Sequence, residues 1–333
     1  MSASARTRVG VVGAGNIASI AQLPTLVNRD DVELAALVSR RQDPGPLARR
    51  WGFSAVYPTV EEMLAGEQLD AVFVLTPRSE HAHAVEACLR HGLDVFCEKP
   101  LAPSVDEAER LADLADEYGR ILMVDFNRRY APAYVAGRKA FGEAGAAFCV
   151  AQKNRPGSEY RATFENAIHM VDLLRWYCGG EPVDVSAHAA GDDAWEEDGS
   201  AALVRFDSGN TGVLVAARTA GAWNEKLDAY GAGVSAEVRA PESVAVTVDG
   251  VTTTRDLSSE AFGWATATET LGFAEAVHHF LDRVSDRQPP LTSAREAVAT
   301  QRLLDRILEA AGLPTQEQGG RQWSSHATNT APR

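Results

Sequence analysis

Apolar and polar positions follow two different rhythms along this chain. Up to about residue 126, short apolar runs alternate with segments of helical spacing. Arg8-Val9-Gly10-Val11-Val12 reads as a strand and leads into an amphipathic helix reaching about Asn28. A second strand covers Val32 to Val38, followed by helices over 45–52 and 59–66 and a strand from Asp70 to Leu75. Ser79 is placed to cap a helix from Glu80 to Arg90 that Gly92 ends. Another apolar run begins at Leu93, a helix follows over 105–118, and Ile121 to Phe126 closes the series. Unbroken alternation of this kind predicts an α/β fold with a doubly wound parallel sheet.

From about residue 147 the period shortens. Strands are expected at 147–153, 182–189, 200–207, 212–218, 225–230 and 234–240, with a hairpin at Asp249-Gly250. A helix over 164–178 interrupts them, and helices at 266–286 and 292–312, separated by Pro289-Pro290, follow them. This pattern predicts an α+β half with a large, mostly antiparallel open sheet. The division expected is 1–126, 127–313 and a polar tail, 314–333, too poor in apolar anchors to order itself.

The strand ends carry the chemistry. Gly13-Ala14-Gly15-Asn16-Ile17-Ala18 is a G-x-G-x-x-A turn in a strand–turn–helix setting. There Gly13 permits a tight turn, Gly15 admits a pyrophosphate, and Ala18 keeps the helix close to the sheet. The second strand ends in Ser39-Arg40-Arg41, where an acid would be usual for a ribose 2′-hydroxyl. A hydroxyl and two guanidiniums suit a 2′-phosphate better, so NADP(H) is preferred, with NAD(H) still open through Asp43. Thr76-Pro77 breaks another strand, and Leu93-Asp94-Val95-Phe96-Cys97-Glu98-Lys99-Pro100 ends abruptly on an acid, a base and a proline. Pro100 stops the strand and leaves Lys99 at the sheet edge, where open α/β sheets bind ligands.

Composition narrows the classes. The 333 residues exceed one ordinary core, and 45% hydrophobic with 23% charged residues describes a globular chain. A net charge of −14 argues against nucleic acid or an anionic membrane as partner. No apolar run reaches the roughly 18 residues of a membrane span, and the N-terminus enters a strand without a signal-peptide core. Four scattered cysteines without a CxxC pair read as buried and reduced, so the location expected is cytoplasmic.

Taken in order, the glycine turn, Thr76-Pro77 with His81, Glu98-Lys99-Pro100 and Asn127-Arg128-Arg129 resemble the Gfo/Idh/MocA oxidoreductase family, nearest to its MviM-like members. The resemblance covers roughly 7–312. It implies a Rossmann domain joined to an α+β domain whose open sheet is buried between subunits, hence a homodimer or homotetramer. It implies hydride transfer between a nicotinamide and one carbinol or keto carbon of a sugar, sugar derivative or cyclitol. Lys99 then lies beside the nicotinamide and the substrate hydroxyl, Pro100 is often cis in the family, and Thr76, Pro77, His81 and Glu98 lie near the cofactor with Gly13, Gly15, Asn16, Ile17, Ser39 and Arg40. His169 matches the family's acid/base histidine, with Glu165 standing where the family has Asp. As i and i+4 on a helix the two would share one face. Asn127, Arg129 and Tyr160 are the candidates for the substrate side. A metal on Glu165, His169 and Asp172 would need a further His or Cys at ligand spacing, and no metal is expected. Two other classes stay open: an enzyme that retains its cofactor for a redox-neutral elimination or hydrolysis, and a non-catalytic dinucleotide sensor.

Overall fold

Two sheets organise the chain in a computed structural model that describes residues 6–157, 161–258 and 266–315. The first contains β1 (Thr7–Val12), β2 (Val32–Val38), β3 (Ala55–Tyr57), β4 (Ala71–Val74), β5 (Asp94–Cys97) and β6 (Leu122–Val124). All its pairings are parallel, in the order β3-β2-β1-β4-β5-β6. These strands are apolar at nearly every position because helices cover both faces. The strand order reverses between β1 and β4, and a crevice opens there beyond the carboxyl ends.

The second sheet contains β7 (Phe148–Asn154), β8 (Pro182–Ala190), β9 (Gly199–Phe206), β10 (Thr211–Ala217), β11 (Asn224–Gly231), β12 (Val234–Arg239), β13 (Ser243–Val248) and β14 (Val251–Asp256). Its order is β14-β13-β12-β11-β7-β10-β9-β8, antiparallel except for the parallel β7–β10 pair. Alternation places Cys149, Ala151 and Lys153 of β7 on the buried face, opposite Ala229, Leu227 and Glu225 of β11. Helices Pro132–Lys139, Ile168–Cys178 and Ala294–Ala310 pack on this half. On the other face, Phe148, Leu203 and Tyr230 are exposed.

The structure departs from the expected elements in several places. The helix expected from residue 16 is split into Asn16–Ile20 and Gln22–Val27, and the short strand β3 and helix Pro132–Lys139 were not anticipated. The segment expected as one helix over 164–178 begins with a π-turn, Ala162–Asn166, and becomes α-helical only at Ile168. The late helix is cut at Gly272 (φ +82), where a Cβ would lie 2.3 Å from the Asn127 carbonyl oxygen. Helix Phe273–Asp286 then packs on the first sheet, with Phe280 edge-on to Phe73 and Phe96 at 5.3 and 5.6 Å between centroids. Only residues 314 and 315 of the expected tail are described; 316–333 lie outside the described residues.

Candidate active site

The glycine turn and the ends of β1, β2 and β4 enclose a cavity of about 560 Å³ lined by Gly13, Gly15, Ser39, Arg40, Thr76 and Pro77, among others. Gly13 has φ +84, and a Cβ there would meet Thr76 and the Leu75 carbonyl at 2.9 and 3.0 Å. A Cβ at Gly15 would meet nothing within 4 Å, so the backbone itself forms the wall. Buried Ala18 keeps the helix against the sheet, while Asn16 and Ile17 are exposed at its start. This cradle fits a dinucleotide. Arg40 lines it as an exposed residue ion-paired with Glu80. Asp43 is occupied locally, its carboxylate accepting from the Gly45 N–H at 3.2 Å.

At the end of β5 the Lys99–Pro100 peptide is cis. His81 ties this turn to the neighbouring one: its Nδ1 lies 2.7 Å from the Pro100 carbonyl oxygen and its Nε2 2.8 Å from that of Thr76. Burial lowers the His81 pKa, against the pull of those two carbonyls. With both ring nitrogens occupied and the side chain buried, His81 acts as a clamp between two loops rather than as a cofactor contact. Below them Gln22 Nε2 donates to Glu98 Oε1 and to Asp125 Oδ2, each at 2.8 Å. Burial first, and then the Glu98 charge, raise Asp125 well above the usual carboxylate range.

Lys99 reaches across to the second half, its Nζ donating to the Glu165 carbonyl oxygen at 3.2 Å. The Glu165 carboxylate points elsewhere. It pairs with Arg78 of the first half at 2.7 Å and accepts from the Arg161 N–H at 2.8 Å. The expectation that Glu165 and His169 share a helical face fails because Glu165 lies within a π-turn and His169 in the α-helix that follows it. Glu165 therefore joins the two halves of the molecule instead of polarising the histidine.

His169 is buried, and its Nδ1 has no hydrogen-bond partner among the described residues. Burial holds its pKa well below the ordinary value, and Lys153, Arg128 and Lys99 each push it further down. The Lys99 pKa is lowered as well, chiefly by burial and against Glu98 and Glu165. Two of the cations around His169, Arg128 and Lys153, rest on Glu225. Arg128 binds this carboxylate through Nε at 2.6 Å and Nη2 at 3.0 Å, and Lys153 through Nζ at 3.1 Å. Those three residues are absent from the expected set. The signal for two of them was a charge on the apolar face of a strand, Lys153 after Cys149 and Ala151, and Glu225 before Leu227 and Ala229.

Two of the three expected substrate-side residues, Asn127 and Arg129, are not brought to the cleft. Asn127 has no exposed surface, and its Nδ2 donates to the Leu271 carbonyl at 2.9 Å. Arg129 is buried in a bidentate pair with Asp172, both contacts 2.8 Å, and also bonds Glu296 at 3.0 Å. The turn that carries both lies against helix Phe273–Asp286, and their side chains tie it to Leu271, to helix Ile168–Cys178 and to helix Ala294–Ala310. Arg128, between them, is the residue that reaches the site. Tyr160 lies outside the described residues. No group of three potential metal ligands occurs among the described residues.

Fold and cavity define a dinucleotide-binding α/β protein whose second, sheet-based half completes the site. The chain belongs to the Gfo/Idh/MocA oxidoreductase family: residues 7–126 match the profile "Oxidoreductase family, NAD-binding Rossmann fold", and 115–237 match "GFO/IDH/MocA C-terminal domain". It is 28% identical over 316 residues to the putative oxidoreductase YceM of Salmonella typhimurium, covering 90% of this chain and 96% of that protein. It is also 28% identical over 269 residues to inositol 2-dehydrogenase of Rhizobium meliloti, covering 74% and 80%. Among solved structures, the dehydrogenase MviM of Clostridium difficile superposes with a TM-score of 0.81 at 20% identity, covering 91% of this chain and 99% of that one.

Proposed function

We propose that this protein transfers a hydride between NADP(H), or less readily NAD(H), and a carbinol or keto carbon of a sugar, sugar derivative or cyclitol. The observation that carries the reading is the reach of Lys99 from the end of β5 to the turn that leads into His169. A nicotinamide dinucleotide supplies the hydride chemistry, held by Gly13, Gly15, Ser39, Arg40, Thr76 and Glu98. Lys99 directs positive charge at the substrate oxygen as alkoxide character develops. His169, kept neutral by burial and three neighbouring cations, accepts the hydroxyl proton in the oxidative direction. NADP(H) is favoured because Arg40 lines the cavity while Asp43 is held by Gly45. The sugar or cyclitol class is supported by the named activity of the inositol 2-dehydrogenase relative.

Several further features support parts of this reading. Four buried free thiols accord with a reducing, cytoplasmic setting, and no helix of the described residues is long and apolar enough to cross a membrane. The open face of the second sheet supports assembly of identical subunits. The test is a panel of sugars, cyclitols and keto-sugars, oxidised or reduced with either cofactor and followed by cofactor absorbance. Turnover that disappears in Lys99→Met and His169→Ala supports the reading. Undiminished turnover in Lys99→Met would end it.

A further inference from the structure

Glu165 is bonded through three oxygen atoms, and the partners come from three places in the chain. Its Oε1 accepts from Arg78 Nη1 at 2.7 Å, in the turn that follows Thr76-Pro77. Its Oε2 accepts from the Arg161 N–H at 2.8 Å, at the start of its own π-turn. Its carbonyl oxygen accepts from Lys99 Nζ at 3.2 Å, and among the described residues the Lys99 ammonium makes no other hydrogen bond. Within the turn, the Asn166 and Ala167 N–H groups reach back to the Arg161 and Ala162 carbonyls at 3.3 and 3.0 Å. Such turns are rare and often mark functional sites. The Arg78 guanidinium also lies over the ring of Phe164 in the same turn, 5.0 Å from its centroid. The side chains of Arg78 and Glu165 are only 15% and 17% exposed, so solvent screens their attraction little.

We propose that Arg78 and Glu165 are positioning residues of the reaction: their ion pair holds the π-turn from the first half of the molecule and so fixes where Lys99 and His169 stand. The inference rests on the hydride-transfer reading above and deepens it. Arg78 sits between Pro77 and Ser79, which line the dinucleotide cavity, while the π-turn leads directly into the helix that carries His169. The tie therefore runs from the cofactor wall to both reacting side chains, through the Glu165 carbonyl to Lys99 and along the chain to His169. Placement within a fraction of an ångström is what such a tie supplies. The pair also acts on Lys99 through its charges. Burial lowers the Lys99 pKa, Glu98 and then Glu165 oppose this, and Arg128 and Arg78 add to it. These groups face Lys99 from its own strand end, the π-turn, the turn after β6 and the turn after β4, and His81, Lys153 and His169 in turn feel its charge.

The test uses the full chain with Arg78→Met, Arg78→Lys and Glu165→Gln, and a compound from the panel that the unaltered protein turns over. Arg78→Met keeps an apolar stem over Phe164 and removes the charge. It should lower kcat about ten- to a hundredfold while the Kd for NADPH stays within about twofold. Arg78→Lys should recover most of the loss. The alkaline inflection of kcat/KM separates the tie from general damage, because the two charges act on Lys99 with opposite sign. Removing the Arg78 charge should move that inflection to higher pH, and removing the Glu165 charge should move it to lower pH. Amide hydrogen exchange over 161–169 in the NADPH-bound protein reads the turn without any turnover: it should quicken in Arg78→Met and stay near the unaltered rate in Arg78→Lys. If Arg78→Met does not fold, Glu165→Gln carries the pH test, and an inflection that stays in place overturns the proposal. Quickened exchange in a protein that turns over none of the panel supports the tie and counts against the hydride-transfer reading. Undiminished kcat in Arg78→Met, unchanged exchange over 161–169, or inflections that move in the same direction would each overturn the tie.

Discussion

The residues that do the proposed chemistry separate by how they fail. His169→Ala should lose roughly 10²–10⁴ in turnover while still binding cofactor, because it removes only the proton acceptor. High pH should partly relieve that loss in the oxidative direction, where hydroxide can take the proton. Lys99→Met should be impaired without relief, since what it loses is charge at the developing alkoxide. A pH–rate profile of the two variants distinguishes these outcomes. At the other end of the cofactor, Arg40→Ala should weaken NADPH far more than NADH, by about ten- to a hundredfold. Fluorescence titration checks this, and tighter NADH binding to the unaltered protein would sink the preference. Lys99 and His169 were legible because each sits in a contiguous motif. Lys153 and Glu225 were not, because their contact depends on the register of two strands far apart in sequence. The orientation of Glu165 was misread for a local reason. A spacing of four implies a shared face only if the helix is α throughout, and here a π-turn comes first.

At the scale of elements, the alternation up to β6 was readable because parallel strands buried on both faces are nearly continuous apolar runs. The three-residue strand β3 carries no such run, and helix Pro132–Lys139 follows a turn whose polar residues are buried by elements later in the chain, β11 among them. The last helix also carries an electrostatic fault. Asp305 faces Glu309, one turn on in helix Ala294–Ala310, and Asp106 of helix Val105–Glu117. Partial burial first, then these two acids, raise its pKa to about 6. The unfolded chain releases that proton near pH 4. Between the two values the folded state binds more protons, so stability falls as pH rises through this window and stays lower above it. Asp305→Asn should stabilise the protein at pH 7 by about 1 kcal/mol, discounted for partial exposure, and not at pH 4. Thermal melts at the two pH values check the sign.

For the molecule as a whole, the outer face of the second sheet is the feature with most consequence for assembly. Register brings Phe148 beside Tyr230, and Leu203 beside Val213 and Val150, on one side. Phe148 is 60% and Leu203 47% exposed, a contiguous apolar stripe that a solitary chain would leave wet. We propose that a second copy covers it. Light scattering at micromolar concentration should give a multiple of 35.7 kDa, and replacing Phe148 and Leu203 with charged residues should return the mass to that value.

The return of the chain to its own beginning has a consequence for how the protein is made. Beyond helix Phe273–Asp286, the Val124 N–H donates to the Thr292 carbonyl at 2.9 Å, and Met123 bridges Ser293, so the edge at β6 is finished by residues far downstream of the sheet. During synthesis the first sheet waits, with Phe73 and Phe96 lacking Phe280, until helix Phe273–Asp286 has left the ribosome. A nascent chain stalled after residue 126 should therefore be open to protease and to chaperones that bind apolar surface. Supplying a 266–315 peptide in trans should protect it, as pulsed proteolysis of the stalled complex would reveal.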